Sequence, residues 1–92
     1  MDSIKERIEI LLEELGFKKV NVNGNILYLY RGCYYKVTYI KGLKSFVIEC
    51  ASNYDEAQNN VFEDGDLYPI SLGENALLDK LRSDLVKYYI TG

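Results

Sequence analysis

The feature that most constrains the fold is a run of alternating apolar and polar residues between positions 19 and 51, interrupted by turns that contain glycine. A period of two is typical of strands with one buried face. Asn23-Gly24 is the strongest short-range signal for a two-residue hairpin turn. With these residues as the turn, Val22 pairs with Asn25 and Val20 pairs with Leu27.

The second hairpin has two possible registers. A two-residue loop after Tyr30 would place Leu27 opposite Lys36 and mix apolar with polar side chains on one face. A three-residue loop pairs Tyr30 with Tyr34 and keeps the apolar and polar side chains on opposite faces. We predict the three-residue loop, because a slip of one residue inverts a whole strand face.

The third hairpin turns at Gly42-Leu43, where a leading glycine favours a type II′ turn. This register sets Lys36 opposite Glu49, a favourable charge pair between strands. It also aligns three inward pairs: Tyr35 with Cys50, Val37 with Ile48, and Tyr39 with Phe46.

Two helical segments with clear apolar periodicity flank the strands. Residues 3–15 carry apolar side chains at helical spacing before Gly16, and the same spacing runs from Leu77 to Tyr89 at the C-terminus. Between the strands and the last helix, the sequence predicts a short acidic helix at residues 54–62, a turn at residues 63–66 and an extended segment at residues 67–70.

The sequence therefore predicts one α+β domain spanning residues 1–92. Its architecture is a four-stranded antiparallel meander with an N-terminal helix and two C-terminal helices, in the order α-β-β-β-β-α-α. The first and last helices are expected to pack on the face formed by Val20, Leu27, Val37 and Ile48.

Composition argues against an enzyme. The chain has no histidine and only two cysteines, Cys33 and Cys50. Without histidine there is no imidazole base, nucleophile pair or imidazole metal site, and two separate thiols do not supply a tetrahedral metal site. We expect Cys50 to be buried and Cys33 to lie in a loop, with no catalytic residue, cofactor or metal. No apolar run is long enough for a membrane helix, and no secretory signal is evident, so a cytoplasmic location is expected.

Charge is strongly segregated along the chain. Residues 15–48 contain six basic and no acidic residues, whereas residues 49–79 contain eight acidic and no basic residues. Such separation indicates an electrostatic contact with a partner. The acidic stretch favours a basic protein surface. The basic, tyrosine-rich strands offer the alternative of a small nucleic-acid-binding or general protein-interaction domain.

Candidate partner-binding residues follow from these patterns. The predicted register places three tyrosines on the outer face, where tyrosine is effective in interfaces unless a helix covers it. The second group consists of the carboxylates between positions 55 and 74. The candidate residues are Tyr28, Tyr30, Tyr34, Asp55, Glu56, Glu63, Asp64, Asp66 and Glu74.

The second half of the chain also carries a distinctive series of segments: YDEA at 54–57, FEDGDLYP at 62–69, SLGE at 71–74 and LRSDLVKYY at 81–89. This series resembles a family of small immunity proteins from bacterial polymorphic-toxin loci, with the likeness strongest over residues 46–89. The resemblance implies a non-enzymatic inhibitor that neutralises a cognate toxin by occlusion.

Overall fold

The computed structural model describes residues 2–90, without the side chains of residues 2, 3 and 89. It shows an α+β domain with a five-stranded antiparallel sheet in the order β1-β2-β3-β4-β5. The elements are α1 (Asp2–Glu14), β1 (Lys18–Val22), β2 (Asn25–Tyr30), β3 (Cys33–Ile40), β4 (Ser45–Ala51), α2 (Tyr54–Gln58), β5 (Glu63–Pro69) and α3 (Glu74–Asp84).

The first hairpin has the predicted register. Val22 pairs with Asn25 and Val20 pairs with Leu27. Asn23 and Gly24 both have positive φ, 53° and 84°. Positive φ at both turn positions is what a two-residue type I′ hairpin requires, and asparagine and glycine tolerate it best.

The second hairpin differs from the prediction. Tyr30 pairs with Cys33, so the loop is the two-residue segment Arg31-Gly32, with φ values of 50° and 81°. The predicted three-residue loop keeps Leu27 on the same face as Val37. The prediction is wrong because such a shared face is required only if a single face of the sheet is covered.

The third hairpin confirms the predicted register but not the predicted turn. Val37 pairs with Ile48 and Lys36 lies opposite Glu49. The chain reverses through a 3-10 turn at Lys41–Leu43, followed by Lys44 at φ 47°, rather than through a type II′ turn. Both turns preserve the same pairing, so the alternation pattern fixes the register independently of the turn type.

The fifth strand corrects the predicted four-stranded sheet. Residues 63–66, predicted as a turn, continue into the extended segment and pair with β4, where Phe46 lies opposite Tyr68. Between the pairs Val47–Leu67 and Glu49–Asp64, β5 contains one more residue than β4, which is a β-bulge. The bulge accommodates Gly65 without ending the strand. The preceding helix is correspondingly shorter than predicted and ends at Gln58.

Both faces of the sheet are covered, which explains the second hairpin. Helices α1 and α3 pack on one face, whose buried strand residues include Tyr28, Val37 and Ile48. On the other face, Leu27 joins a smaller cluster with Ala57 of α2 and is fully buried. The prediction that Leu27 and Val37 share one face is therefore wrong.

Helix α3 is fixed to the edge strand β5 by a polar contact. The Tyr68 hydroxyl donates to Asp84 Oδ2 at 2.9 Å, and Lys80 Nζ donates to the same oxygen at 3.0 Å. Burial alone would raise the pKa of Asp84, but these two hydrogen bonds, together with the positive charges of Lys80 and Lys87, outweigh it and lower the pKa. The helix continues as a π-helical segment from Leu85 to Ile90, so the predicted C-terminal helix is present within the described residues.

The two cysteines differ from their predicted settings. Cys33 is the first residue of β3 rather than part of a loop, and Cys50 is half-buried rather than fully buried. Both are free thiols and both pack against the main core from the same face of the sheet.

Candidate protein-binding surface

Part of the charge segregation along the sequence becomes a separation across the sheet. The sheet order places β1 at one edge and β5 at the other. Lys18 and Lys19 are exposed on β1, whereas Glu63, Asp64 and Asp66 are exposed on β5. We call these three carboxylates the acidic edge. Because β5 is an outermost strand, the acidic edge lies beside backbone groups that no neighbouring strand pairs.

The acidic edge includes an unfavourable arrangement of like charges. Asp64 lies directly opposite Glu49 on β4, and like charges in such a position are destabilising. On the other side of Glu49, Lys36 occupies the paired position on β3, and the Thr38 hydroxyl donates to Glu49 Oε1 at 2.5 Å. Among residues 2–90, no ion pair involves any carboxylate of the acidic edge.

The two acidic residues of α2 have different roles. The Asn53 side chain accepts a hydrogen bond from the Glu56 backbone at 2.8 Å, and Glu56 Oε1 accepts one from the Ser52 backbone at 2.8 Å. This reciprocal arrangement caps the helix, so Glu56 is engaged in local structure. Asp55 is exposed and available to a partner.

Glu74 lies apart from the other candidates. It begins α3, and its carboxylate forms a 3.1 Å ion pair with Arg7 of α1. Because α1 and α3 cover one face and α2 covers the other, the structure does not bring Glu74 together with Asp55.

The three candidate tyrosines do not form an outer patch. Tyr28 is 1% exposed and belongs to the core beneath the helices. Tyr30 is half-buried and stacks on Phe17 at a centroid distance of 4.5 Å. Tyr34 lies on the opposite face, edge-on to Tyr54 at 6.0 Å. The tyrosines lie elsewhere than predicted because the two-residue loop shifts β3 by one residue relative to the predicted pairing.

Tyr28 also carries a polar group that its burial leaves unsatisfied. Within the described part of the chain, its hydroxyl has no hydrogen-bond partner of good geometry, although the Glu9 carboxylate approaches it. Burial, together with the negative charges of Glu9 and Glu13, raises the pKa of Tyr28 to about 12.

The structure exposes apolar side chains that the sequence reasoning did not select. Tyr54 on α2 is 51% exposed, and Leu67 on β5, beside the acidic edge, is 42% exposed. The exposed position of Leu67 follows from its alternation with the buried Tyr68, but only if residues 63–69 are recognised as a strand. Both lie near candidate carboxylates, so they extend the acidic surface with apolar contact area.

A separate cavity of about 330 Å³ lies between α1 and α3, away from the acidic edge. Apolar and charged side chains of both helices line it, among them Arg7, Ile10, Leu78, Asp79 and Arg82. Its charges are of both signs, and it contains none of the candidate residues.

The described residues were found to contain neither a cluster of metal ligands nor a membrane-spanning helix. Across positions 2–90, no group of three or more potential metal ligands is close enough together to hold a metal ion. No helix in the same part of the chain is long and apolar enough to cross a membrane.

Comparisons with protein-family models, curated proteins and solved structures produced no match.

Proposed function

We propose that this chain is a non-enzymatic binding protein, an immunity-type inhibitor that neutralises a bacterial toxin by covering a basic surface on it. The observation that carries the proposal is the acidic edge: three exposed carboxylates on an outermost strand, without ion-pair partners among the described residues. The toxin as the partner rests on the resemblance of residues 46–89 to immunity proteins.

The acidic edge is suited to a basic partner for an energetic reason. Asp64 lies opposite Glu49 across the strands, and like charges in such positions repel each other. A lysine or arginine from a partner would relieve this repulsion, so its removal would add to the stabilisation from binding. The neighbouring Leu67 supplies apolar area that the partner would bury.

The first experiment identifies the partner by pull-down from the native host with the intact protein. Reversal of Glu63, Asp64 and Asp66 to lysine should then lower the association rate constant about tenfold or more, because electrostatic steering acts mainly on association. The dependence of association on ionic strength should become flatter. Folding should survive, since Asp64→Lys places a cation opposite Glu49.

A matched control separates the location of the charges from the net charge. The same number of exposed acids on the helices is reversed in the control variant: Glu6→Lys, Glu14→Lys and Asp79→Lys. If both variants lower the association rate constant equally, net charge rather than the acidic edge determines the rate of association. If pull-down captures no protein and the purified chain retains single-stranded nucleic acid that salt removes, the inhibitor proposal is wrong.

A further inference from the structure

The two cysteines, distant in sequence, are neighbours on one face of the sheet. Cys50 lies directly opposite Tyr35, and Cys33 precedes Tyr35 by two residues on the same strand. Cys33 and Cys50 are therefore diagonal neighbours with side chains on the same face. Both thiols pack against the main core on that face, and both remain partly accessible to solvent.

We propose that Cys33 and Cys50 form a reversible disulfide when the protein meets a disulfide oxidant such as oxidised glutathione. The inference is independent of the proposed toxin partner. It assigns to the pair a covalent modification that ties the start of β3 to the end of β4.

The geometry allows closure with a small movement. Diagonal neighbours in antiparallel strands have Cα atoms about 7–8 Å apart, slightly beyond the usual disulfide range of about 4.4–6.8 Å. The ladder between β3 and β4 ends at the pair Tyr34–Ala51, so Cys33 lies just outside it. Cys33 is held by its pairing with Tyr30, next to the two-residue turn. The start of β3 can therefore move toward Cys50 without breaking the β3–β4 pairing.

The environment of Cys50 determines which thiol attacks second. Burial, reinforced by the adjacent Cys33, raises the pKa of the Cys50 thiol to about 11. Cys50 is therefore held as the neutral thiol, and the thiolate is the attacking species.

The exchange proceeds in two balanced steps. The Cys33 thiolate attacks one sulfur of oxidised glutathione, forms a mixed disulfide and releases the first glutathione thiolate. Cys50 then loses its proton to solvent and attacks the Cys33 sulfur, which releases the second glutathione. Two protein thiols are oxidised to one disulfide, and one glutathione disulfide is reduced to two thiols.

The test measures the equilibrium between the reduced and oxidised protein in buffers of reduced and oxidised glutathione. Samples are quenched with acid and alkylated, and their masses are measured by intact-protein mass spectrometry. The disulfide form is two hydrogens lighter than the reduced protein and carries no alkyl group. The same titration in urea gives the value for the unfolded chain. Because the fold holds the thiols together, the equilibrium constant in the native protein should exceed the unfolded value by about tenfold or more.

Thermodynamic linkage provides a second measurement on the same samples. If the native state favours the bridge, the oxidised protein must unfold at a higher urea concentration than the reduced protein. Cys50→Ser should instead accumulate the mixed disulfide with glutathione on Cys33, whereas Cys33→Ser should form it more slowly because the remaining Cys50 is held as the neutral thiol. A native equilibrium constant no greater than the unfolded value would overturn the proposal. So would mixed disulfides or disulfide-linked dimers as the main product of the wild-type protein.

Discussion

Replacement of Tyr28 by phenylalanine should make this protein more stable, although it removes a polar group from the core. The Tyr28 ring is 1% exposed, and its hydroxyl has no partner of good geometry in the described part of the chain. A buried polar group without a partner costs about 1–3 kcal/mol. Tyr28→Phe keeps the ring and removes that cost, so we expect a gain of about 1 kcal/mol at pH 7.

The difference in unfolding free energy between Tyr28→Phe and the wild type should increase at alkaline pH, because folding raises the pKa of Tyr28. Folding raises the pKa of Tyr28 from its ordinary value of 10.0 to about 12. A raised pKa means that the folded state favours the neutral phenol, so this contribution to stability is full below pH 10. It is lost as the pH rises toward 12, because the unfolded chain ionises first. At pH 11 the loss for the wild type is about 1.4 kcal/mol, and the phenylalanine variant does not suffer it.

Urea unfolding at several values between pH 7 and pH 11, followed by circular dichroism, measures both effects. Subtraction of the variant from the wild type cancels the other tyrosines and the lysines, which titrate in both proteins. Tyr88→Phe is the matched control, because Tyr88 is 56% exposed and should show neither effect. A difference between wild type and Tyr28→Phe that stays constant from pH 8 to pH 11 would refute the burial argument.

Two further predictions concern the sheet, and both are checked by urea unfolding at neutral pH. Ile48→Ala should cost about 2–5 kcal/mol, as large-to-small changes in a core do, whereas Leu67→Ala, at an exposed position of β5, should cost less than about 1 kcal/mol. Equal losses would place Ile48 outside the core. Gly32→Ala should cost about 1–2 kcal/mol because Gly32 has φ 81° in the two-residue turn, whereas Gly42→Ala should change stability by less than about 0.5 kcal/mol. The opposite order would favour the type II′ turn at Gly42 and the longer loop after Tyr30.

The sequence determined those features that depend on local chemistry. Asn23-Gly24 specified the first hairpin because few other residues accept positive φ at both turn positions. Alternation specified the pairing of β3 with β4, and the same register is reached through a different turn. The spacing of apolar residues specified α1 and α3 because a helix needs only one continuous apolar stripe to pack.

The candidate site could be predicted only in part. The signs of the charges were readable from the sequence, and Asp55, Glu63, Asp64 and Asp66 are exposed as a binding surface requires. The assignment of Tyr28 and Tyr30 to the outer face failed because the face on which a strand residue lies depends on its register with the next strand. A single residue in loop length moved Tyr28 from the predicted outer face into the core.

The tertiary structure alone decided which segments meet. The acidic segment 63–66 reads locally as a turn, yet it forms a strand because β4 offers an unpaired edge and Tyr68 anchors the segment in the core. Leu27 is buried on the face opposite Val37 because Ala57 of α2 packs on that face. Strand order then placed Lys18 and Lys19 at one edge of the sheet and the acidic edge at the other. Cys33 and Cys50 became neighbours in the same way. Backbone pairing between distant segments fixed these positions, and local preferences along the chain do not encode that pairing.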